Sequence, residues 1–138
     1  MLSDKDFERA IARIRELGWY AKIQPEKDGI VSSVAKYENL DVPVLIDHMA
    51  RPDPLRGNED PNLRKMLELL SKGNFWVMLS LGEKTSKKGP PWDDVIPIAR
   101  AYIEAAPDRA RASLPLRARR GGTEENPGNQ SGKAVRLR

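Results

Sequence analysis

The stretch Val42-Pro-Val-Leu-Ile-Asp-His-Met-Ala-Arg-Pro52 holds the strongest structural and chemical signal in this sequence. A short apolar run leads into an aspartate, then the only histidine of the 138 residues, with an arginine three places further on. Five residues without polar alternation predict a strand covered on both faces, as in a parallel sheet. Enzymes built on parallel sheets carry their chemistry at the carboxyl ends of such strands. The stretch therefore predicts a functional site at Asp47 and His48.

On both sides of this strand, helical and extended patterns alternate along the chain. Apolar residues at helical spacing predict four helices, at Ser3–Leu17, at 29 to about 40, at Pro61–Ser71 and at 93 to about 106. Apolar runs between them predict three strands, at Trp19–Gln24, Val42–Ile46 and Phe75–Leu79. The order α-β-α-β-α-β-α indicates an α/β fold with a parallel sheet and right-handed crossovers.

The connections of this predicted sheet differ in length. The loops after the second and third strands, over 49–60 and 81–91, are long and polar, whereas the connections from helix to strand are short. That asymmetry is typical of a (β/α)₈ or TIM barrel, whose functional loops all lie at one face. A complete barrel has eight strands and about 250 residues. The predicted fold is therefore a partial (β/α)₈ barrel with about three central parallel strands and four helices.

The regular pattern ends after Arg109. Residues 110–138 contain seven of the 24 Lys and Arg residues and two of the 20 acidic ones, and show no usable apolar period. A segment of this kind cannot bury enough apolar surface to offset its chain entropy. We expect an α/β domain over 1–109 and a disordered basic tail over 110–138. One hypothesis for the abrupt change is a shifted reading frame in a GC-rich gene.

Composition excludes several classes of function. The net charge of +4 resides in residues 110–138, so the body of the chain carries no basic excess and is not expected to bind nucleic acid. No apolar run approaches the roughly 18 residues of a membrane span. The sequence has no cysteine, which excludes disulfides, thiolate metal sites and a cysteine nucleophile. We expect a cytoplasmic location. Binding of nucleic acid or anionic membranes by the tail is a minor alternative.

Four segments in register resemble a known family, the amidohydrolase-related hydrolases near their 2-pyrone-4,6-dicarboxylate lactonase branch. They are Pro43-Val-Leu-Ile-Asp-His-Met-Ala-Arg-Pro52, Asn74-Phe-Trp-Val-Met-Leu-Ser-Leu81, Gly89-Pro-Pro-Trp-Asp-Asp94 and Ala105-Ala-Pro-Asp-Arg109. The resemblance covers about residues 5–109 and implies a central piece of a (β/α)₈ barrel hydrolase. The family's His-x-His strand and its late strand with a catalytic aspartate are not found in this sequence. Ala50 and Leu81 stand where the family usually has glycine, so we expect the backbone after His48 to differ.

The resemblance also implies roles for individual residues. His48 would bind a metal or polarise the scissile carbonyl; the alternative is a half-buried histidine with structural partners. Asp47 would orient His48 or cap the following loop. Arg51 would hold a substrate carboxylate, unless it is a solvated loop charge. Lys84 would bind a second anionic group, with a surface lysine beside Lys87 and Lys88 as its alternative.

Two further polar residues, Gln24 and Ser80, end predicted strands and are expected to point towards the substrate pocket. No set of three metal ligands is visible around His48, so a zinc ion is conceivable only for the parent family, and the cofactor stays unknown. The expected function is that of a fragment of a hydrolase acting on a lactone, ester or amide of a small carboxylated substrate. We expect this chain alone to be inactive or very weak. The alternative is a non-enzymatic α/β fragment that self-associates or docks to a partner through exposed sheet edges.

Overall fold

The computed structural model describes residues 3–111 and 134–137. Its helices are α1 (Asp4–Leu17), α2 (Pro61–Ser71), α3 (Gly82–Thr85) and α4 (Ile96–Ala105). Its strands are β1 (Tyr20–Ile23), β2 (Val44–Ile46), β3 (Phe75–Met78), β4 (Ala110–Arg111) and β5 (Ala134–Leu137). Short 3₁₀ segments occur at Val34–Lys36, His48–Ala50, Pro54–Glu59 and Asp93–Val95. Among the described residues, no helix is both long and apolar enough to cross a membrane.

The strands form one sheet in the order β4-β3-β2-β1-β5, and every neighbouring pair is parallel. Strands that follow one another in the chain lie side by side from β1 to β4, with Ile23 opposite Ile46 and Ile46 opposite Val77. The predicted α/β fold with three central parallel strands is confirmed. Their carboxyl ends therefore meet at one edge of the sheet, where the sequence places its polar residues.

The two faces of the sheet differ because side chains alternate along each strand. Ala21 of β1 packs with Ile11 and Ile14 of α1, and is fully buried. The corresponding residues of β2 and β3 pack with α2 and α4 in the main core. The register aligns Lys22, Leu45 and Trp76 in one row across the sheet, and this row faces away from the helices. Within the three central strands, Lys22 is the charged residue of that row, beside Leu45 and Trp76.

Capping residues explain where the two long predicted helices begin and end. The Ser3 hydroxyl accepts a hydrogen bond from the Asp6 N–H at 3.2 Å, and Gly18 ends α1 with a left-handed φ of 61°. The Asp60 carboxylate accepts from the Leu63 N–H at 2.9 Å, with Pro61 in the first turn of α2. Both helices match the sequence prediction within one residue.

The helix predicted from 29 to about 40 is wrong. Only Val34–Lys36 forms a single 3₁₀ turn there. The Ile30 N–H donates to the Ala50 carbonyl at 3.2 Å, and the Val31 N–H donates to Asn62 Oδ1 at 3.0 Å. Because these N–H groups bond to residues far away in the chain, the segment adopts an irregular conformation instead of a helix. The predicted polar loop over 81–91 likewise contains the short helix α3.

Two short strands lie within the tail predicted over 110–138. Residues Ala110–Arg111 form β4 beside β3, and residues Ala134–Leu137 form β5 beside β1. The edge of β1 offers a row of backbone donors and acceptors, and a short extended segment can pair with it. The remainder of the predicted tail, 112–133 and 138, lies outside the described residues.

Candidate active site

The candidate site lies at the carboxyl ends of β1, β2 and β3. Gln24 follows β1 directly, and Asp47 follows β2. The Asp47 N–H donates to the Ile23 carbonyl at 2.9 Å, which keeps Asp47 in line with the sheet. Ser80 stands two residues beyond the end of β3. The structure thus brings these predicted residues to one edge of the sheet.

Asp47 is the centre of a buried polar group that we call the strand-end cluster: Lys22, Asp47, His48 and Ser80. Lys22 Nζ lies 2.9 Å from Asp47 Oδ2. The other carboxylate oxygen, Oδ1, accepts from the His48 backbone N–H at 3.0 Å and from the Ser80 hydroxyl at 3.2 Å. The same oxygen lies 3.5 Å from His48 Nδ1. The side chain of Asp47 is 4% exposed and that of His48 is 15% exposed.

These contacts hold Asp47 in its charged form. Burial alone would raise the pKa of this carboxyl, but the Lys22 ammonium, together with the charge and backbone N–H of His48, brings the pKa below its ordinary value. The sequence left two roles open for Asp47, orienting His48 or capping the next loop. The structure shows the capping bond to the backbone N–H, and it places the same oxygen beside the imidazole.

Backbone conformation after β2 is unusual, since His48–Arg51 all have positive φ angles of 51–62°. Residues other than glycine rarely adopt this left-handed region, and four in succession imply strain that the surroundings must hold. The buried Tyr102 hydroxyl donates to the Met49 carbonyl at 2.9 Å, and Asn62 Nδ2 lies 3.4 Å from the Arg51 carbonyl. Burial raises the pKa of Tyr102, and so does the charge of Asp60. The tyrosine therefore stays a hydroxyl donor to the turn.

At the two positions where the resembling family usually has glycine, the chain keeps the backbone that glycine favours. Ala50 has a φ of 62° and Leu81 a φ of 57°. Both residues thus hold left-handed conformations although neither is a glycine. The contacts around the turn impose the conformation on ordinary residues.

The loops after β1, β2 and β3 line an open cavity of about 300 Å³. Its described lining includes five cationic side chains and three acidic ones, an excess of two positive charges. The cations are Lys27, Arg51, Arg56, Lys84 and Lys87. We call this space the cationic cavity. Such a lining favours small anions, and guanidinium groups favour carboxylates in particular.

Arg51 and Lys84, the two predicted anion-binding residues, both line the cationic cavity although they come from different loops. Arg51 Nε donates to the Pro25 carbonyl at 3.0 Å, which occupies one of the five donors of its guanidinium. Gln24, His48 and Ser80 are not among the described residues that line this cavity. The predicted site residues therefore fall into two groups.

Sequence reasoning missed Lys22 and Asn62. Lys22 interrupts an apolar strand on the face that bears Leu45 and Trp76, and a charge at such a position was the available signal. Asn62 lies in the first turn of α2 and is 7% exposed. Its amide joins the loop after β1 to the loop after β2, through Val31 and Arg51. No sequence pattern marks a contact between such distant segments.

The described residues do not fit a metal site. No group of three or more His, Asp and Glu side chains able to hold an ion occurs among them. Beside His48 the carboxylate is that of Asp47, and its oxygens already contact Lys22 Nζ and the Ser80 hydroxyl. A catalytic zinc usually has three protein ligands. We therefore assign no step of the reaction to a metal held by this chain.

Comparison with known families gives a match to the amidohydrolase family model over residues 2–110. The chain belongs to the amidohydrolase family. The resemblance inferred from sequence segments is thereby confirmed, and it covers the strands that carry Asp47, His48 and Ser80.

Two curated relatives act on lactones by name. A 4-sulfomuconolactone hydrolase of Hydrogenophaga intermedia is 31% identical over 103 residues, which are 75% of this chain and 34% of that protein. A 2-pyrone-4,6-dicarboxylate hydrolase of Comamonas testosteroni is 31% identical over 106 residues, covering 70% of this chain and 35% of the relative. The chain spans about a third of the length of these relatives.

Solved structures give the same picture of the fold. An Agrobacterium tumefaciens protein superposes with a TM-score of 0.62 at 20% identity, over 76% of this chain and 40% of the other. An Acinetobacter baumannii protein described as a probable 2-pyrone-4,6-dicarboxylic acid hydrolase, with citric acid bound, gives a TM-score of 0.54 at 25% identity, over 70% of this chain and 35% of the other. The partial (β/α)₈ barrel predicted from the sequence is confirmed.

Proposed function

We propose that this chain forms the central part of a barrel hydrolase that opens a lactone bearing anionic groups. The observation that carries the proposal is that Arg51, a lining residue of the cationic cavity, follows three residues after the largely buried His48 at the carboxyl end of β2. The relatives named as lactone hydrolases support it. The substrate class follows from the charge of the cavity, which suits a carboxylate or sulfonate.

In this proposal His48 acts on the carbonyl that water attacks. The His48 imidazole can donate an N–H hydrogen bond to the carbonyl oxygen as negative charge develops there. Asp47 supports the turn that presents the ring. Arg51 and Lys84 bind the anionic substituents of the lactone and so orient its carbonyl. Water adds to the carbonyl carbon, the ring C–O bond breaks, and the leaving oxygen takes a proton.

We expect no substantial turnover by the isolated chain. Among the described residues the strand-end cluster has no carboxylate other than Asp47, which Lys22 and Ser80 already contact. In this proposal the base for the attacking water comes from the barrel portion that this chain does not span. Rapid lactone hydrolysis by the purified chain would contradict this assignment.

Binding of an anionic lactone to the full chain tests the proposal without requiring turnover. The probes are 2-pyrone-4,6-dicarboxylate and neutral 2-pyrone, measured by calorimetry and by NMR of the His48 ring. Because His48 is the only histidine, its ring signals need no further assignment. We expect the dicarboxylate to bind, and Arg51→Met or Lys84→Met to weaken binding by about 10- to 100-fold, since a hydrogen bond to a charged group contributes about 1.5–3 kcal/mol.

The matched control is Lys5→Met, which removes an exposed lysine of α1 outside the cationic cavity. Its binding should equal that of the unaltered chain. Equal binding of the neutral and anionic probes would contradict the proposal, and so would a loss in Lys5→Met as large as that in Arg51→Met.

A second candidate function rests on the open sheet. Among the described strands, β4 and β5 form the two edges. Because a sheet edge can accept a strand from another chain, we also propose that copies of this chain self-associate through these edges. Light scattering after size exclusion tests this, and a compact monomer across the concentration range would contradict it.

A further inference from the structure

Lys22 has no task in the proposed chemistry, yet it contacts the carboxylate beside His48. It lies within β1 on the sheet face opposite the helices, and its side chain is 17% exposed. Removing an ammonium from water is energetically costly, and an ion pair offsets that cost only when its geometry is good. A largely buried lysine that pairs with Asp47 therefore points to a requirement of the site.

The contacts of Asp47 show what that requirement is. The carboxylate divides its two oxygens between different partners. Oδ2 meets Lys22 Nζ at 2.9 Å, and Oδ1 accepts the backbone N–H of His48 at 3.0 Å. A carboxylate held at one oxygen cannot rotate, so the other oxygen keeps its direction towards the turn.

The turn needs such an anchor because its backbone is strained. His48–Arg51 have four successive positive φ angles, and the first of these residues is the one bonded to Asp47 Oδ1. Residues held in this region persist only where surrounding contacts determine them. The contacts through Tyr102 and Asn62 act further along, at the carbonyls of Met49 and Arg51.

We propose that Lys22 is a positioning residue of the candidate active site, which fixes the Asp47 carboxylate so that it anchors the left-handed turn presenting His48. The inference rests on the proposed function in one respect, namely that His48 takes part in the reaction. Its structural content, the dependence of the His48 turn on Lys22, is testable in the full chain without substrate.

The experiment compares Lys22→Met, Lys22→Arg and Lys65→Met by NMR. Methionine keeps the apolar stem and removes the charge. Lys65→Met is the matched control because Lys65 forms a similar, partly buried ion pair with Glu38 at 2.8 Å on the helical side of the molecule. The readouts are the ring signals of the single histidine and the protection of the His48 amide proton from exchange, which reports its bond to Asp47.

We expect Lys22→Met to shift the His48 ring signals and to abolish protection of its amide. Lys22→Arg should retain both properties, since arginine restores the cation, and Lys65→Met should leave both unchanged. Unaltered His48 signals in a folded Lys22→Met chain would overturn the inference. Equal shifts in Lys65→Met would overturn it too, because they would reveal a general loss of stability.

Should Lys22→Met fail to fold, the double variant Lys22→Met/Asp47→Asn provides the test. It leaves neither charge buried alone. The inference predicts a folded chain whose His48 signals differ from those of the unaltered protein, and native signals would overturn it. Failure of the dicarboxylate to bind the unaltered chain would refute the proposed function while leaving these results intact.

Discussion

Replacing Gly29 with alanine should destabilise the chain far more than the same change at a glycine with open surroundings. Gly29 has a φ of 97°, and a Cβ there would lie 2.2–2.4 Å from the amide atoms of Asn62. No rearrangement of a few tenths of an ångström relieves such an overlap, so the Asn62 side chain must move away. It would then lose its bonds to the Val31 N–H and the Asp28 carbonyl, both at 3.0 Å.

The expected cost has two parts. An alanine at positive φ costs about 1–2 kcal/mol. Loss of two partly buried hydrogen bonds, which leaves the Val31 N–H without a hydrogen-bond acceptor, costs about 2–3 kcal/mol. The free energy of unfolding should fall by about 3–5 kcal/mol, a large fraction of the roughly 5–15 kcal/mol typical of domains.

Denaturant unfolding followed by circular dichroism measures this difference. The matched control is Gly73→Ala, where φ is 87° and nothing lies within 4 Å of the place that a Cβ would occupy, so only the backbone part of about 1–2 kcal/mol applies. In an Asn62→Ala background, Gly29→Ala should likewise cost only about 1–2 kcal/mol. Equal costs for Gly29→Ala and Gly73→Ala in the unaltered background would refute the reasoning.

Three further predictions each concern a single residue. Tyr102→Phe should cost about 1–2 kcal/mol of unfolding free energy, because the Met49 carbonyl loses the hydroxyl donor at 2.9 Å; no change in thermal unfolding would contradict this. Asp47 has a lowered pKa, so its contribution to stability is fully present above its ordinary value of 3.8 and is lost as the pH falls below it. The free energy of unfolding of Asp47→Asn should therefore depend less on pH in the acid range than that of the unaltered chain. An identical dependence on pH in the two chains would contradict this prediction. Phe75→Ala, at a fully buried position, should cost about 3–5 kcal/mol in denaturant unfolding, and a loss under about 1 kcal/mol would be incompatible with the described core.

Sequence patterns predicted the elements whose signals are local. The Asp60 cap, the early Pro61 and a clear apolar stripe define α2, and the structure has its predicted limits. The uninterrupted apolar run before Asp47 indicated a strand buried on both faces, and all three residues of β2 are buried. In each case the determining interactions lie within a few residues of one another.

Elements fixed by distant contacts could not be predicted in this way. The segment after Gly29 has helical spacing, yet its backbone donors bond to Ala50 and Asn62, and it forms one 3₁₀ turn. The pairing of β5 with β1 joins segments more than 100 residues apart, and no local pattern specifies it.

In the candidate site, too, some residues could be predicted from local patterns, whereas contacts between distant segments could not. Asp47 and His48 were predictable because they end a recognisable strand, and Arg51 because it follows in the same loop. The approach of Lys84 to Arg51 around one cavity depends on how two loops fold over the sheet. The partnership of Lys22 with Asp47 depends on the register between β1 and β2, which the sequence does not state.

The central claim is that His48 acts on a lactone carbonyl within a complete barrel. Its most direct test is the turnover of a chimera in which residues 5–109 replace the matching part of the Hydrogenophaga intermedia 4-sulfomuconolactone hydrolase. The account predicts lactone hydrolysis by the chimera and a loss in kcat of about 100-fold or more in its His48→Asn variant, the range for removing one donor to a developing oxyanion. Full activity of the His48→Asn chimera, or no activity in a folded chimera that keeps His48, would contradict the claim.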